Sequence, residues 1–274
     1  MNDALIVSVL SVVPKHFASR VMGGIARTRL GAALNRFVIR RYCAQYGVNM
    51  DEFVGTIDDY ATLGDFFIRP LKPGLRPVDV ASEALVSPVD ARVYAVGSLV
   101  GHRTPEGVEA DFDARELTGS ELYEDGDFAV LYLSPKDYHR IHYPREGRVV
   151  GYRYKPGSLW PVFPASVRKI RGLFAKNERL VVRLECQGLG ELAVILVGAF
   201  GVGRMTASFC DLVTNTGGQA EDRSLDGVVA ERGSELGRFH MGSTVILVAP
   251  KGTLAWQIAP DDVVRVGRRI AALR

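Results

Sequence analysis

From position 51 onward, apolar residues come in short runs broken by turn residues. Runs rich in β-branched and aromatic side chains cover residues 92–100, 128–134, 148–154, 179–186, 191–199, 244–249 and 253–259. Turn-formers stand between several of them: Glu124-Asp125-Gly126, Arg145-Glu146-Gly147, Gln187-Gly188 and Pro250-Lys251-Gly252. Many short strands with turns this frequent predict an antiparallel β-sandwich or barrel-like body. Before position 51 the pattern is helical. Pro14 and then Gly23-Gly24 divide this arm, and the later stretch spans about residues 25–46. At 100° per residue, Arg29, Arg36 and Arg40 project within about 40° of one another. Leu30, Leu34, Phe37 and Val38 gather on another sector, which Arg41 interrupts. The predicted class is α+β, mainly β, with N-terminal helices in residues 1–50 and a β-rich body in 51–274.

Composition narrows the function classes. With 274 residues, 47% hydrophobic and 24% charged, the chain is long enough and apolar enough to bury a sizeable core. A net charge of +3 is too small to indicate a nucleic-acid partner. Its distribution says more. Seven basic residues against Asp3 alone give residues 1–50 a charge of +6, which leaves −3 on the other 224 residues. Three distant cysteines, Cys43, Cys186 and Cys210, form no CxxC, so a disulfide framework or a metal site is not expected and a reducing compartment is favoured. The apolar run at 4–14 has 11 residues and no basic segment before it. That is short of the roughly 18 residues a spanning helix needs, and it does not read as a signal peptide. The arm can be read as an interfacial helix pair, its apolar side chains dipping into a bilayer and its arginines meeting anionic lipid. It can also be read as a helical cap on the body with a solvated basic face.

Four stretches of the body could carry chemistry. Ser87-Pro88-Val89-Asp90 puts an aspartate at a turn before a strand. Ser134-Pro135-Lys136-Asp137-Tyr138-His139-Arg140-Ile141-His142-Tyr143-Pro144 holds two of the five histidines, three residues apart and bracketed by prolines that disfavour a long helix. Histidine, near pKa 6.5, suits proton transfer at neutral pH. Phe174-Ala175-Lys176-Asn177-Glu178-Arg179 reads as a polar turn entering a strand. Gly237-Arg238-Phe239-His240-Met241-Gly242-Ser243-Thr244 places Gly-Ser-Thr at the head of an apolar run and is not the G-x-S-x-G elbow of hydrolases. GxGxxG, Walker A and HExxH motifs do not occur.

Together these stretches resemble the phosphatidylserine decarboxylase family, bacterial type. The family's G-S-T, preceded by a G-x-F stretch, stands at Gly237–Thr244. Its Y-H-R-x-H is Tyr138-His139-Arg140-Ile141-His142, and its entry motif matches Phe66-Phe67-Ile68-Arg69-Pro70-Leu71 followed by Arg76-Pro77. Tyr154-Lys155-Pro156-Gly157 and Asn177-Glu178-Arg179 also fit, in the expected order. Ala91 replaces the glycine that usually follows the aspartate, and Met241 replaces a common leucine.

The resemblance implies a self-processing enzyme that uses a pyruvoyl group derived from Ser243. Decarboxylating an amino-acid head group leaves a carbanion, and no ordinary side chain offers a carbonyl electron sink. In the implied route the Ser243 hydroxyl attacks the Gly242 carbonyl to form an ester. A β-elimination then splits the chain, and the resulting dehydroalanine hydrolyses to pyruvoyl and ammonia. Glycine before the serine leaves that attack unhindered. The implied base is His142 with Asp90 as its partner, and His139 is implied for decarboxylation of phosphatidylserine. Chains 1–242 and 243–274 would stay together, a homodimer is compatible, and the expected place is the cytoplasmic face of the cell membrane, bound peripherally through the basic arm to an anionic surface. Other readings stay open: a pyruvoyl-dependent decarboxylase of a soluble amino acid, a serine hydrolase using Asp90, His142 and Ser243, or a non-catalytic β-rich binding module.

Overall fold

The computed structural model describes residues 15–201, 204–240 and 244–274. The apolar run at 4–14 and the cleavage pair Gly242-Ser243, with Met241, lie outside the described residues.

Two helices open the described chain, α1 (Lys15–Arg27) and α2 (Ala32–Tyr46). Helix α1 runs straight through Gly23-Gly24, which the sequence reading took as a break. Two mid-helix glycines weaken a helix by roughly 1 kcal/mol each, and tertiary contact with a later segment outweighs that cost. The break falls at Gly31, whose φ of 82° suits glycine. Helix α2 ends at Gly47, φ 71°, where the Gly47 and Val48 amides both reach the Cys43 carbonyl. Its inner face buries Asn35 and Ile39, and Ile39 packs with Tyr60 and Phe66. Phe66 belongs to α3 (Leu63–Phe67), capped by the Thr62 side chain at the Asp65 amide.

The body is mainly β, as expected. An eight-stranded antiparallel sheet runs in the order β13 (Val263–Val264), β2 (Ala91–Ser98), β3 (Asp127–Tyr132), β11 (Thr244–Ala249), β7 (Gly190–Val197), β6 (Arg179–Cys186), β5 (Gly147–Lys155), β9 (Glu221–Ala230). Two three-stranded antiparallel sheets accompany it. One is β1 (Ala84–Val86), β14 (Arg269–Leu273) and β12 (Leu254–Trp256); the other is β4 (Arg140–His142), β10 (Glu235–Phe239) and β8 (Met205–Ala207). One core lies between the large sheet and the small ones, joining Val93, Leu131, Leu247 and Val194 to Leu85, Ile270, Ile141 and Phe239. The opposite face is covered by short helices α4 (Ala114–Thr118), α5 (Pro164–Lys169) and α6 (Leu173–Lys176), whose Leu117, Val167 and Phe174 meet Val130, Ile195 and Ile246.

Strand β11 is buried along its whole length, because Val245 and Leu247 face one core and Ile246 and Val248 the other. A continuous apolar run is the sequence form of a strand covered on both faces. Edge strand β9 is largely exposed and charged, which protects an open edge from pairing with other chains.

Candidate functional site

The small sheet β4–β10–β8 builds the site. Arg140 of β4 pairs with Arg238 of β10, Ile141 with Gly237 and His142 with Glu235. The Phe239 amide donates to the His139 carbonyl at 2.9 Å. The two histidines therefore lie along one side of β10, whose last residue, Phe239, precedes position 243 by four. Gly237 is required here, since an added Cβ would meet the Thr206 carbonyl of β8. On the far side Thr244 opens β11, between Tyr132 and Val197, and its hydroxyl is buried without a partner among the described residues.

His139 is fully buried. Its Nδ1–H donates to the Asp137 carbonyl at 2.7 Å, which fixes the tautomer and leaves the lone pair on Nε2. That Nε2 is buried and has no hydrogen-bond partner among the described residues. Burial, reinforced by the Arg69 guanidinium, pushes its pKa down to about 3, so the ring is neutral at physiological pH. The ring leans on Phe67, with centroids 4.1 Å apart. Arg69 is itself buried, sandwiched against Phe53 and Phe66, and donates to the carbonyls of Lys136 (2.8 Å) and Asp137 (3.2 Å). The entry motif thus grips the loop that orients His139.

His142 sits differently. Its Nδ1–H donates to the Gly233 carbonyl at 2.8 Å, and its Nε2 accepts from the Tyr138 hydroxyl at 3.0 Å. Burial lowers its pKa, while the Gly233 carbonyl and the charges of Glu235 and Asp90 oppose that. The Tyr138 phenol is pushed up to about 12 by burial, so it keeps its proton.

Asp90, at the head of β2, is buried. Its oxygens accept from Arg76, from Arg265 at 2.9 Å and from the Val266 amide at 2.9 Å. The structure does not join Asp90 to His142 by a hydrogen bond. Asp90 acts on that ring only through space, because the two arginines have claimed its oxygens. Among the predicted residues, His142 ends β4 and His139 immediately precedes that strand, Asp90 acts on the His142 ring through space, and Gly242 and Ser243 lie outside the described residues. The sequence reading assigned no role to Tyr138, Arg69 or Arg265. Tyr138 and Arg69 both lie within the family-like motifs, whereas Arg265 carries no sequence signal.

The third stretch, Asn177-Glu178-Arg179, is structural. Asn177 Nδ2 donates to the carbonyls of Trp160 (2.8 Å) and Gly198 (2.9 Å), and Glu178 accepts from Tyr154 at 2.7 Å. Gly157 admits this turn, since a Cβ there would lie 2.6 Å from the Lys176 carbonyl. The described residues contain no group of histidine, cysteine and acidic side chains fit for a metal ion.

Comparison with known proteins identifies the family. A family model described as phosphatidylserine decarboxylase matches residues 63–272. The chain is 44% identical over 277 residues to the phosphatidylserine decarboxylase proenzyme of Anaeromyxobacter sp. (strain K), covering 97% of this chain and 98% of that protein. It is 39% identical over 280 residues to the proenzyme of the same name from Myxococcus xanthus (strain DK1622), covering 100% of both. The proenzyme from Marinobacter nauticus is 39% identical over 96% of this chain and 94% of its own length.

Proposed function

The chain belongs to the phosphatidylserine decarboxylase family, and from that premise we propose how its own residues perform the reaction. The protein is a self-processing carboxy-lyase that converts phosphatidylserine to phosphatidylethanolamine and carbon dioxide. The observation that carries the residue assignment is the pairing of β4 with β10, which seats both histidines beside the approach to Gly242-Ser243.

In maturation, the Ser243 hydroxyl attacks the Gly242 carbonyl and gives up its proton to His142. The neutral ring can take it at Nε2 when the Tyr138 hydroxyl swings aside. Asp90 and Glu235 favour the protonated ring through space. The peptide nitrogen leaves as an amine, the Gly242 carboxylate departs by elimination, and hydrolysis releases ammonia. Peptides 1–242 and 243–274 result.

The residues present fit a pyruvoyl group at position 243: among the described residues, the buried Nε2 of His139 and the hydroxyl of Thr244, the next residue in the chain, have no hydrogen-bond partner. When formed, the group supplies the electron sink for the charge left by departing carbon dioxide. His139 supplies the proton traffic. A phosphatidylserine ammonium arrives protonated and must lose a proton to react; Nε2 is the free acceptor, and the same proton is returned to carbon after decarboxylation.

Residues 1–50 form the lipid-facing part in this proposal. Ile25 (60% exposed) and Phe37 (66%) project into solvent with Val21, Met22, Leu30 and Leu34. Arg29, Arg40 and Arg41 form no ion pair among the described residues, whereas Arg36 pairs with Asp58. Among the described residues no helix is long and apolar enough to cross a membrane. This favours peripheral docking on an anionic surface, at the cytoplasmic face, over a solvated cap.

The test is intact mass of the purified protein together with vesicle turnover. Two pieces are expected, one ending at Gly242 and one of 32 residues without a free amino terminus. Ser243→Ala stays uncleaved and inactive. An uncleaved wild-type chain with full decarboxylase activity overturns the assignment.

A further inference from the structure

A cavity of about 270 Å³ lies between helix α1, helix α3 and the segment 204–216, away from the two histidines already described. Two arginines line it, Arg27 from α1 and Arg204 from the body. Neither forms an ion pair or a side-chain hydrogen bond among the described residues, and Arg204 Nε is buried without a partner. The Arg27 side chain lies against two glycines: added Cβ atoms at Gly64 and Gly23 would lie 3.3 Å from its Cγ and 3.4 Å from its Nη1. Asp65 also lines the space, with its carboxylate held by the Thr62 hydroxyl at 2.8 Å. One carboxylate against two guanidinium groups leaves net positive charge. His240 shares the cavity, and its amide donates to the Arg204 carbonyl at 3.0 Å. Three residues of chain span at most about 11 Å, which bounds the separation of His240 from position 243.

We propose that this cavity is the subsite for the phosphodiester of the lipid substrate, with Arg27 and Arg204 as its two cationic arms. The proposal rests on the decarboxylase reading and names the contact that reading lacks. The substrate carries two anionic groups. The carboxylate's charge passes to the α-carbon as neutral carbon dioxide leaves, so cations fixed on the carboxylate would stabilise the ground state over the transition state. The phosphodiester keeps its charge throughout, and unpaired guanidinium groups suit its oxygens. One arm comes from the lipid-facing helix, so filling the subsite would also tie α1 to the body.

The test uses monomeric dihexanoyl-phosphatidylserine below its micelle concentration, which removes membrane binding from the measurement. Arg204→Gln and Arg27→Gln are expected to raise KM about ten- to a hundred-fold, with self-cleavage and the thermal midpoint unchanged and kcat affected less. Arg204→Lys should recover part of the loss. Binding is read without turnover by titrating glycerophosphoethanolamine into the uncleaved Ser243→Ala chain; adding Arg204→Gln should weaken it by a similar factor. Inorganic phosphate should bind that chain far more weakly than the diester. Equal binding of the two would assign the cavity to free phosphate, and an unchanged KM and unchanged diester affinity in both arginine variants would overturn the subsite. Arginine-dependent diester binding, found together with a wild-type chain that never decarboxylates phosphatidylserine, would keep the subsite and overturn the decarboxylase reading instead.

Discussion

His139 and His142 differ by three positions in sequence and by one hydrogen bond in consequence. His142 has both nitrogens engaged, whereas His139 keeps a bare Nε2. His139→Ala is therefore expected to cleave normally and to lose turnover, read by mass and by carbon dioxide release; normal decarboxylation would refute its role. Arg69 acts one step away. Arg69→Met removes the donor to the Lys136 carbonyl, at about 1 kcal/mol, leaves the Asp137 carbonyl with His139 as its donor, and frees the loop that aims His139. A drop in denaturation midpoint together with reduced kcat is expected. Histidine burial also sets a pH response. His139 and His240 titrate near 3 and 4 when folded, and His142 is lowered as well, all from an ordinary 6.5. Below 6.5 the unfolded chain takes up protons that the folded chain refuses. The stability these rings contribute is therefore complete above 6.5 and is lost progressively as pH falls toward the folded values. The thermal midpoint should drop between pH 7 and pH 5, less steeply in His240→Gln; parallel slopes would count against this.

Among the elements, β10 does the positioning. It is held between β4 and β8, and Gly237 lets the Thr206 carbonyl come close. Gly237→Val forces the strands apart, at about 1–3 kcal/mol for overpacking, and shifts the approach to Gly242-Ser243. Slower appearance of the 32-residue piece is expected on a time course; cleavage at the wild-type rate would show that β10 is not what aligns the cleavage pair. The elements also explain which patterns could be read in advance. Strands β6 and β11 match the predicted runs 179–186 and 244–249 because they are long or fully covered. Strands β4, β8 and β13, of two or three residues, exist through their partners and leave no period to recognise. Helix α1 passes Gly23-Gly24 while its next turn packs on α3, where Gly64 lies close to the Ala26 carbonyl and the Arg27 side chain.

At the scale of the whole molecule, cleavage after Gly242 would divide the fold through its core. Strand β11 pairs with both β3 and β7, β14 lies between β1 and β12, and β13 pairs with β2. Asp90 adds a polar tie, from Arg76 on one side of the cut to Arg265 and Val266 on the other. The two processed chains should co-elute in native buffer and separate only in denaturant. The basic arm makes its own prediction. Replacing Leu34 and Phe37 together by glutamate should reduce sedimentation with anionic vesicles at least tenfold, since burying one such side chain contributes about 1.5–3 kcal/mol, while turnover of monomeric short-chain lipid persists. Unchanged sedimentation would return the arm to the role of a cap.

Sequence by itself determined the β-rich class, the basic arm and the chemistry-bearing stretches, because period, charge and motif order are properties of neighbours along the chain. It also singled out Asp90, His139, His142 and Ser243 as a set. Tertiary structure alone decided how they are used: that Asp90 is claimed by Arg76 and Arg265, that Tyr138 holds His142, that Arg69 aims His139, and that Arg27 and Arg204 face one cavity from 177 positions apart. Hydrogen bonds and burial act over a few ångströms of space. The pairs that fix these roles are mostly brought close by strand pairing and helix packing, which no local pattern of residues records.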